Sequence, residues 1–250
     1  MNDKKMRLKT EQSIDNEIRL NKFLSDAGFC SRREADRLKE QGVVTVNNQV
    51  AVMGQKVKVD DVIKARGQMI SREEEQIVIA FNKPVGVECT TLSSNPDNIV
   101  DYIGYHKRIY PIGRLDKNSQ GLILLTNDGS LVNNILKASN YHEKEYVVTV
   151  DKPINDEFIE KMSSGVEILE QITRPCKVTK VNKHTFNIVL TQGLNRQIRR
   201  MCEALGYKVQ KLKRIRIMSV TLGSLPVGQY RNVTDEELEV IKSKNQMTIE

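Results

Sequence analysis

The chain has 250 residues, which exceeds the usual length of about 100 to 150 residues for one domain and predicts a small domain followed by a larger one. Its 39 basic and 32 acidic side chains give a formal net charge of +7, which suits a polyanionic partner without requiring one. The polar amino terminus lacks the apolar stretch of a signal peptide, and no run of about 18 apolar residues occurs, so we expect a cytoplasmic protein without a membrane partner.

The first part of the chain predicts a small α/β domain over residues 18–72. Residues 1–17 before it are polar and aperiodic, which is typical of a disordered leader. The pattern LNKFLSDAG has apolar residues at helical spacing and a stop at Gly28. A capping box from Ser31 to Glu34 predicts the start of a second helix. The runs in VVTVNNQVAV then predict a hairpin around Asn47-Asn48.

A larger domain is predicted over residues 73–250, after the polar stretch RGQMISREEEQ, which has the character of a linker. Predicted strands are QIVIAF, GLILLT, EYVVTV, CKVTKV and TFNIVL. Helices are predicted at SLVNNILKA, NDEFIEKMSS, NRQIRRMCEAL and the carboxyl end. Because strands outnumber helices and do not alternate strictly with them, we expect an α+β fold whose mostly antiparallel mixed sheet is flanked by helices.

Positive charge is concentrated in residues 193–216, which hold eight basic side chains and one acid. The helix NRQIRRMCEALG has apolar residues at helical spacing on one face. The opposite face is expected to carry Arg196, Arg199 and Arg200. Arg214 and Arg216 are expected to share one face of the following strand. An ordinary amphipathic helix with solvated arginines is the alternative, but the density of positive charge favours a surface that follows a phosphate backbone.

The segment PIGRLDKNSQGLILLTNDG places a carboxylate between two cations at the start of a strand. Asp116 lies between Arg114 and Lys117, directly before the apolar run Leu122 to Leu125. An aspartate in such a turn can simply bond local backbone amides, and the spacing alone favours that structural role. Tyr146 begins the strand EYVVTV, where a half-buried strand tyrosine is the common outcome. The chemistry of these residues therefore stays open at this level.

Metal and disulfide sites are not expected. The four cysteines are scattered without a Cys-x-x-Cys pair, and the three histidines are too few to complete a set of ligands. Each cysteine is expected to be a small core residue.

Taken in order along the chain, these motifs resemble the pseudouridine synthases that modify ribosomal RNA and carry an amino-terminal S4 RNA-binding domain. Gly113 through Leu122 is similar to the family motif Gly-Arg-Leu-Asp-x-x-(Ser/Thr)-x-Gly-Leu. Lys144-Glu-Tyr146 matches a Lys-x-Tyr motif, and Gly193 through Met201 matches Gly-x-x-Arg-Gln-Ile-Arg-Arg-Met. RLNKFLSDAGFCSRREADRLKEQGVVTVNNQ resembles the S4 motif, so the resemblance covers residues 18 to about 242. The sequence around the motifs is most similar to the F-type branch, which acts on large-subunit (23S) ribosomal RNA.

The resemblance implies an Asp116 nucleophile, an active-site Tyr146 and an Arg199 that pairs with the catalytic carboxylate. It implies isomerisation of a flipped uridine to pseudouridine in structured RNA, with no cofactor, nucleotide or metal ion. The expected substrate is 23S ribosomal RNA, with transfer RNA as a second candidate, and the expected state is a monomer. The expected RNA contacts are Ser31, Arg32, Arg33, Arg37, Arg114, Leu115, Lys117, Arg196, Gln197, Ile198, Arg200 and Arg214.

Two other classes of protein remain as alternatives. A noncatalytic S4-type RNA-binding or ribosome-handling protein would explain the charge and residues 18–70, but it would leave Asp116 and Tyr146 without a role. A glycoside or nucleoside hydrolase would ordinarily need two carboxylates that flank the scissile bond. Formation of pseudouridine separates the first alternative from the enzyme, and release of free uracil would favour the second.

Overall fold

A computed structural model of the chain describes residues 17–71, 75–136 and 141–246, apart from the side chains of residues 134 and 244–246. Except for Glu17, the predicted leader lies outside the described residues. None of the helices in these ranges combines the length and the apolar character that a membrane span requires. The chain divides into two compact units, Met1–Glu75 and Gln76–Glu250.

The first unit packs two helices on short strands. Its elements are β1 (Ile18–Arg19), α1 (Leu20–Asp26), α2 (Arg32–Glu40), β2 (Val44–Val46), β3 (Gln49–Val50), β4 (Lys56–Val57), β5 (Ile63–Ala65) and β6 (Gln68–Met69). Strands β3, β2, β5 and β6 form an antiparallel sheet in that order, and β1 pairs with β4. The Ser31 hydroxyl accepts a hydrogen bond from the Glu34 amide at 3.2 Å, which confirms the predicted cap. Strand β6 pairs with β5, so part of the stretch predicted as a linker belongs to the sheet of the first unit.

The second unit contains the remaining elements. They are β7 (Val78–Lys83), α3 (Ile99–Ile103), β8 (Tyr110–Pro111), β9 (Gln120–Thr126), α4 (Gly129–Leu136), β10 (Lys144–Val150), α5 (Asp156–Ser164), β11 (Glu167–Ile168), β12 (Gln171–Ile172), β13 (Lys177–Lys180), β14 (Thr185–Leu190), α6 (Gln197–Ala204), β15 (Val209–Ile217), β16 (Val220–Thr221), β17 (Tyr230–Asn232) and α7 (Asp235–Gln246).

A nine-stranded sheet organises the second unit. Its main path runs β13-β14-β10-β15-β9-β7-β17, with β16 beside β15 and β8 beside β9. Among the described strands only β9 and β15 pair in parallel, and every other neighbouring pair is antiparallel. This arrangement confirms the predicted α+β fold with a mostly antiparallel mixed sheet.

The core of the second unit holds the chemistry-bearing elements in place. Phe186 and Ile188 of β14 pack with Val148 of β10 against Phe158 of α5 and Met201 of α6. Strand β7 is buried along its whole length, including the polar Asn82 and Lys83, and β9 is buried after its first residue. The start of β9, the start of β10 and the amino end of α6 are therefore fixed relative to one another by buried apolar contacts.

Candidate active site

A cavity of about 610 Å³ lies in the second unit, where the loop before β9, the start of β10 and the amino end of α6 meet. Asp116 lines it with a carboxyl side chain that is 36 % exposed. Tyr146 of β10 and Arg199 of α6 line the same cavity. The structure thus brings together the three side chains that the family resemblance singles out, although they are distant in the sequence.

Arg199 is buried and ties α6 to the loop that carries Asp116. One terminal nitrogen donates to the Asn118 carbonyl at 2.8 Å and to the Ser119 hydroxyl at 3.1 Å. Its Nε lies 3.9 Å from Oδ2 of Asp116. Burial and the neighbouring Arg196 lower the pKa of Arg199, and the carboxylate of Asp116 opposes that shift. The prediction that Arg199 shares an outer cationic face with Arg196 and Arg200 is wrong, because its guanidinium donates to carbonyl and hydroxyl oxygens inside the unit.

Tyr146 and Arg214 face each other across the β10–β15 pair. Tyr146 is buried, and the Cζ atom of Arg214 lies 5.9 Å from the centre of its ring. Arg214 is 4 % exposed, and its Nε donates to the Leu122 carbonyl of β9 at 2.6 Å. A surface that follows phosphates cannot include a side chain held in this way, so Arg214 belongs to the cavity instead.

A β-bulge separates Arg214 from Arg216, contrary to the prediction that they share a face. The register of β10 with β15 shifts between Glu145 and Tyr146, so that Tyr146 opposes Arg214 whereas Glu145 opposes Arg216. Arg216 then forms ion pairs with Glu145 at 2.9 Å and with Glu143 at 3.0 Å. Glu145 and Tyr146 are adjacent in β10, so their side chains point to opposite faces of the sheet. Arg214, opposite Tyr146, therefore lines the cavity, whereas Arg216, opposite Glu145, pairs with acidic side chains.

Lys117, a predicted RNA contact, is engaged within the protein. Its ammonium group lies 2.7 Å from an Asp97 oxygen and 3.2 Å from a Glu88 oxygen, and these hydrogen bonds raise the pKa of Lys117. The Gly86 amide also donates to the Lys117 carbonyl at 2.9 Å. The segment after β7 is therefore fastened to the loop of Asp116, and an RNA contact by Lys117 would compete with these two carboxylates.

Lys83, at the end of β7, was missed by the sequence reasoning. Its side chain is fully buried, and its ammonium donates to the carbonyls of Pro84 at 2.8 Å and Val87 at 2.7 Å. Burial lowers the pKa of Lys83 to about 8, although the carboxylate of Asp116 acts in the opposite direction. The available signal was a lysine two residues after the apolar run of β7 and immediately before a proline.

Lys144 and Cys89 complete the polar lining near Asp116. Burial, with a smaller contribution from Arg214, lowers the pKa of Lys144 to about 8. The thiol of Cys89 accepts from the Leu115 amide at 3.3 Å, which links the segment after β7 to the residue before Asp116. Burial raises the pKa of Cys89, so this thiol stays protonated at neutral pH.

The remaining predicted RNA contacts fall into two groups. Exposed side chains are Ser31, Arg32, Arg33 and Arg37 in the first unit, and Arg114 and Arg196 in the second. Arg200 is partly exposed, and its Nε donates to the Asn195 carbonyl at 3.0 Å. Buried side chains that line the cavity instead of an outer surface are Leu115, Gln197 and Ile198. Their burial follows from core packing, because Leu115 and Ile198 belong to the cluster around α6.

No group of three or more His, Cys, Asp or Glu side chains comes together as metal ligands within the described ranges. Cys202 is buried, whereas Cys30, Cys89 and Cys176 are partly buried and unbridged.

Comparison with known proteins gives matches over both units. The family model described as RNA pseudouridylate synthase matches residues 77–204, and the S4 domain model matches residues 18–63. The dual-specificity RNA pseudouridine synthase RluF of Escherichia coli (strain K12) is 58 % identical over 226 residues, which cover 90 % of this chain and 78 % of the relative. The ribosomal large subunit pseudouridine synthase B of Bacillus subtilis (strain 168) is 36 % identical over 234 residues, covering 90 % of this chain and 96 % of the relative. A crystal structure of a pseudouridylate synthase aligns with a TM-score of 0.66 at 28 % identity, covering 90 % of this chain and 99 % of the other.

Proposed function

The chain belongs to the RNA pseudouridine synthase family, and on that premise we propose that it isomerises a specific uridine of 23S ribosomal RNA, with Asp116 as the nucleophile. The reaction class, isomerisation of uridine in RNA to pseudouridine, follows from the family. Large-subunit RNA is supported by the name of the Bacillus subtilis relative. A second RNA substrate is supported by the words "dual-specificity" in the name of RluF, and transfer RNA is our candidate for it.

The observation that carries the assignment of the nucleophile is the position of Asp116 beside Arg199 in the cavity. A carboxylate that enters a dry pocket would gain a proton, because burial disfavours its charged form. The guanidinium of Arg199, whose Nε lies 3.9 Å from Oδ2 of Asp116, supplies the opposite charge that such a carboxylate needs. The carboxylate can then attack C1′ of the ribose, add to C6 of the uracil or remove a ribose proton.

Tyr146 and Arg114 have separate proposed roles around the same cavity. The target uridine must leave its stack to reach Asp116. The ring of Tyr146, which lines the cavity, supplies a surface on which the flipped uracil can stack, and its hydroxyl can assist removal of the C5 proton. Arg114 is exposed at the rim and can hold the RNA strand from which the base has been removed.

We place the S4-like RNA-binding domain in residues 18–72 and the synthase domain in residues 73–250. The family matches and the division between Glu75 and Gln76 support these bounds. Exposed arginines of α2 supply cations for RNA in the first domain. A cytoplasmic monomer is proposed, since the proposed substrate, ribosomal RNA, is a cytoplasmic molecule.

The proposal is tested by incubating the purified protein with unmodified ribosomal and transfer RNA, without cofactors, and mapping pseudouridine. We expect one new site in 23S RNA, abolished in Asp116→Asn and retained in Asp156→Asn, a control that alters an exposed carboxylate on α5. Undiminished product from Asp116→Asn would exclude Asp116 as nucleophile. Tight RNA binding without product would favour the noncatalytic alternative, and free uracil would favour a hydrolase.

A further inference from the structure

Arg214 is a buried cation whose hydrogen-bonding capacity is only partly used. Its Nε donates to the Leu122 carbonyl at 2.6 Å, and one terminal nitrogen, Nη1, lies 3.5 Å from the Arg114 carbonyl. The other terminal nitrogen, Nη2, has no hydrogen-bond partner among the residues that the structure describes. A buried donor without an acceptor costs free energy. Arg214 lines the cavity, so this buried, unsatisfied donor belongs to a side chain of the cavity wall.

The cavity wall carries an excess of positive charge, which favours an electron-rich ligand. Lys144, Arg199 and Arg214 line the cavity. Two carboxylates line it as well, but Glu88 is paired with Lys117, which leaves Asp116 to balance these cations. Burial of several cations beside one carboxylate is unfavourable unless a further group with negative charge balances them. The substrate is the natural source of that charge.

We propose that Nη2 of Arg214 donates a hydrogen bond to the O4 carbonyl oxygen of the flipped uracil and stabilises the negative charge that O4 gains during the reaction. This inference rests on the proposed function, since it assumes that a uracil enters the cavity. Arg214 opposes Tyr146 directly across two strands, with Cζ 5.9 Å from the ring centre. A base that enters the cavity and contacts Tyr146 therefore comes near the guanidinium, because both side chains line the same cavity.

The chemistry of the isomerisation explains why O4 needs a cationic donor. When the N1–C1′ bond breaks, its electron pair remains on the uracil, and the negative charge is shared by N1, O2 and O4. Asp116 meanwhile bonds to C1′ or takes a proton from C2′. The uracil turns, C5 bonds to C1′ as Asp116 leaves or returns its proton, C5 loses its proton and N1 gains one.

The alternative route, addition of Asp116 to C6, also moves electrons from the C5–C6 double bond towards O4. On every route O4 is thus more negative in the transition state than in the bound uridine. A fixed donor aimed at O4 binds the transition state more strongly than the ground state, which accelerates the reaction.

The fold holds Arg214 ready for this role. The Leu122 carbonyl fixes the guanidinium, and Gly121 allows β9 to approach the backbone of Arg214 closely. A donor that needs no rearrangement loses little free energy when charge develops. The same donor would face the amino group of a cytosine, because cytosine carries that group at C4, so Arg214 also selects uracil.

The test compares rates on RNA whose target base carries oxygen or sulfur at position 4, since sulfur accepts hydrogen bonds weakly. For the unaltered chain we expect 4-thiouridine to react roughly tenfold more slowly than uridine, as the loss of one coupled contact implies. In Arg214→Met the single-turnover rate at saturating RNA should fall by roughly 100-fold. That variant should show no further loss with 4-thiouridine. RNA with 2-thiouridine is the matched substrate control. Its rate relative to that of uridine should be the same in the unaltered chain and in Arg214→Met.

Arg214→Lys keeps a buried cation and should recover part of the lost rate, which guards against misfolding of Arg214→Met. Arg216→Gln, on the opposite face of the same strand, should keep the sensitivity of the unaltered chain to 4-thiouridine. An equal 4-thio effect in the unaltered chain and in both Arg214 variants would overturn the role of Arg214 while leaving the proposed function intact. Absence of pseudouridine from the unaltered chain on normal RNA would overturn both.

Discussion

The Nε atom of Arg199 lies 3.9 Å from Oδ2 of Asp116 and has no hydrogen-bond partner among the described residues. The terminal nitrogens of Arg199 are anchored on Asn118, Ser119 and Val209, so the guanidinium is fixed while the carboxylate is half-exposed. Hydrogen bonds of catalytic groups often tighten only when substrate binds. A small movement of Asp116 towards Arg199 would satisfy the orphaned Nε and bring the carboxylate into its charged pair.

Replacing Arg199 with lysine should slow the chemical step without a comparable loss of RNA affinity. A lysine ammonium cannot reach both Asp116 and the Asn118–Ser119 segment, because only a guanidinium presents several donors in one plane. Loss of a hydrogen bond to a charged group is worth about 1.5 to 3 kcal/mol, so the single-turnover rate should fall roughly 10- to 150-fold. Equal losses in rate and in RNA affinity would contradict this separation of roles.

Lys83 and Lys144 should titrate with pKa values near 8, and only Lys83 should respond to the charge of Asp116. The carboxylate of Asp116 raises the pKa of Lys83, so Asp116→Asn should move that titration to lower pH. Lys144 owes its low pKa to burial and to Arg214, and it is the internal control. Arg214→Met should raise both pKa values. NMR titration of the lysine side chains measures these shifts, and a shift of Lys144 alone in Asp116→Asn would disprove the assignment.

Gly121→Ala should be among the most destabilising single substitutions in the second unit. A Cβ at Gly121 would lie 2.2 Å from the carbonyl oxygen of Arg214, and the residue has a φ of +114°. We expect a loss of about 3 kcal/mol or more in the free energy of unfolding. Gly86→Ala is a matched control, because its φ is +95° but no atom lies within 4 Å of the added Cβ. Chemical denaturation of both variants decides the point, and similar losses would show that backbone strain dominates.

RNA binding should weaken with salt through the exposed arginines and not through Arg216. Arg196 is exposed at the start of α6, whereas Arg216 is neutralised by Glu143 and Glu145. Arg196→Gln should therefore reduce the slope of log affinity against log salt by about 1. Arg216→Gln should leave the slope unchanged. Dissociation constants measured over a series of potassium chloride concentrations provide the comparison, and equal slopes for the two variants would refute it.

Local patterns were sufficient for elements whose formation depends on neighbouring residues. The N-cap at Ser31, the hairpin at Asn47-Asn48 and the buried apolar runs of β7 and β9 all appear in the structure as expected. The inner face of α6 also follows its apolar spacing. The catalytic assignments came from ordered motifs matched to a family, and they remain proposals for the named residues.

The environment of each cation was decided only by the tertiary structure. Helical spacing assigns Arg199 to the polar face of α6, but the oxygens that draw it inward belong to Asn118 and Ser119. Alternation along a strand predicts that Arg214 and Arg216 share a face, but a bulge in the β10–β15 pair places them on opposite faces. A charged side chain is buried where distant segments supply its hydrogen-bond partners, and these partners are set by strand order and register. Periodicity along one segment contains no information about them.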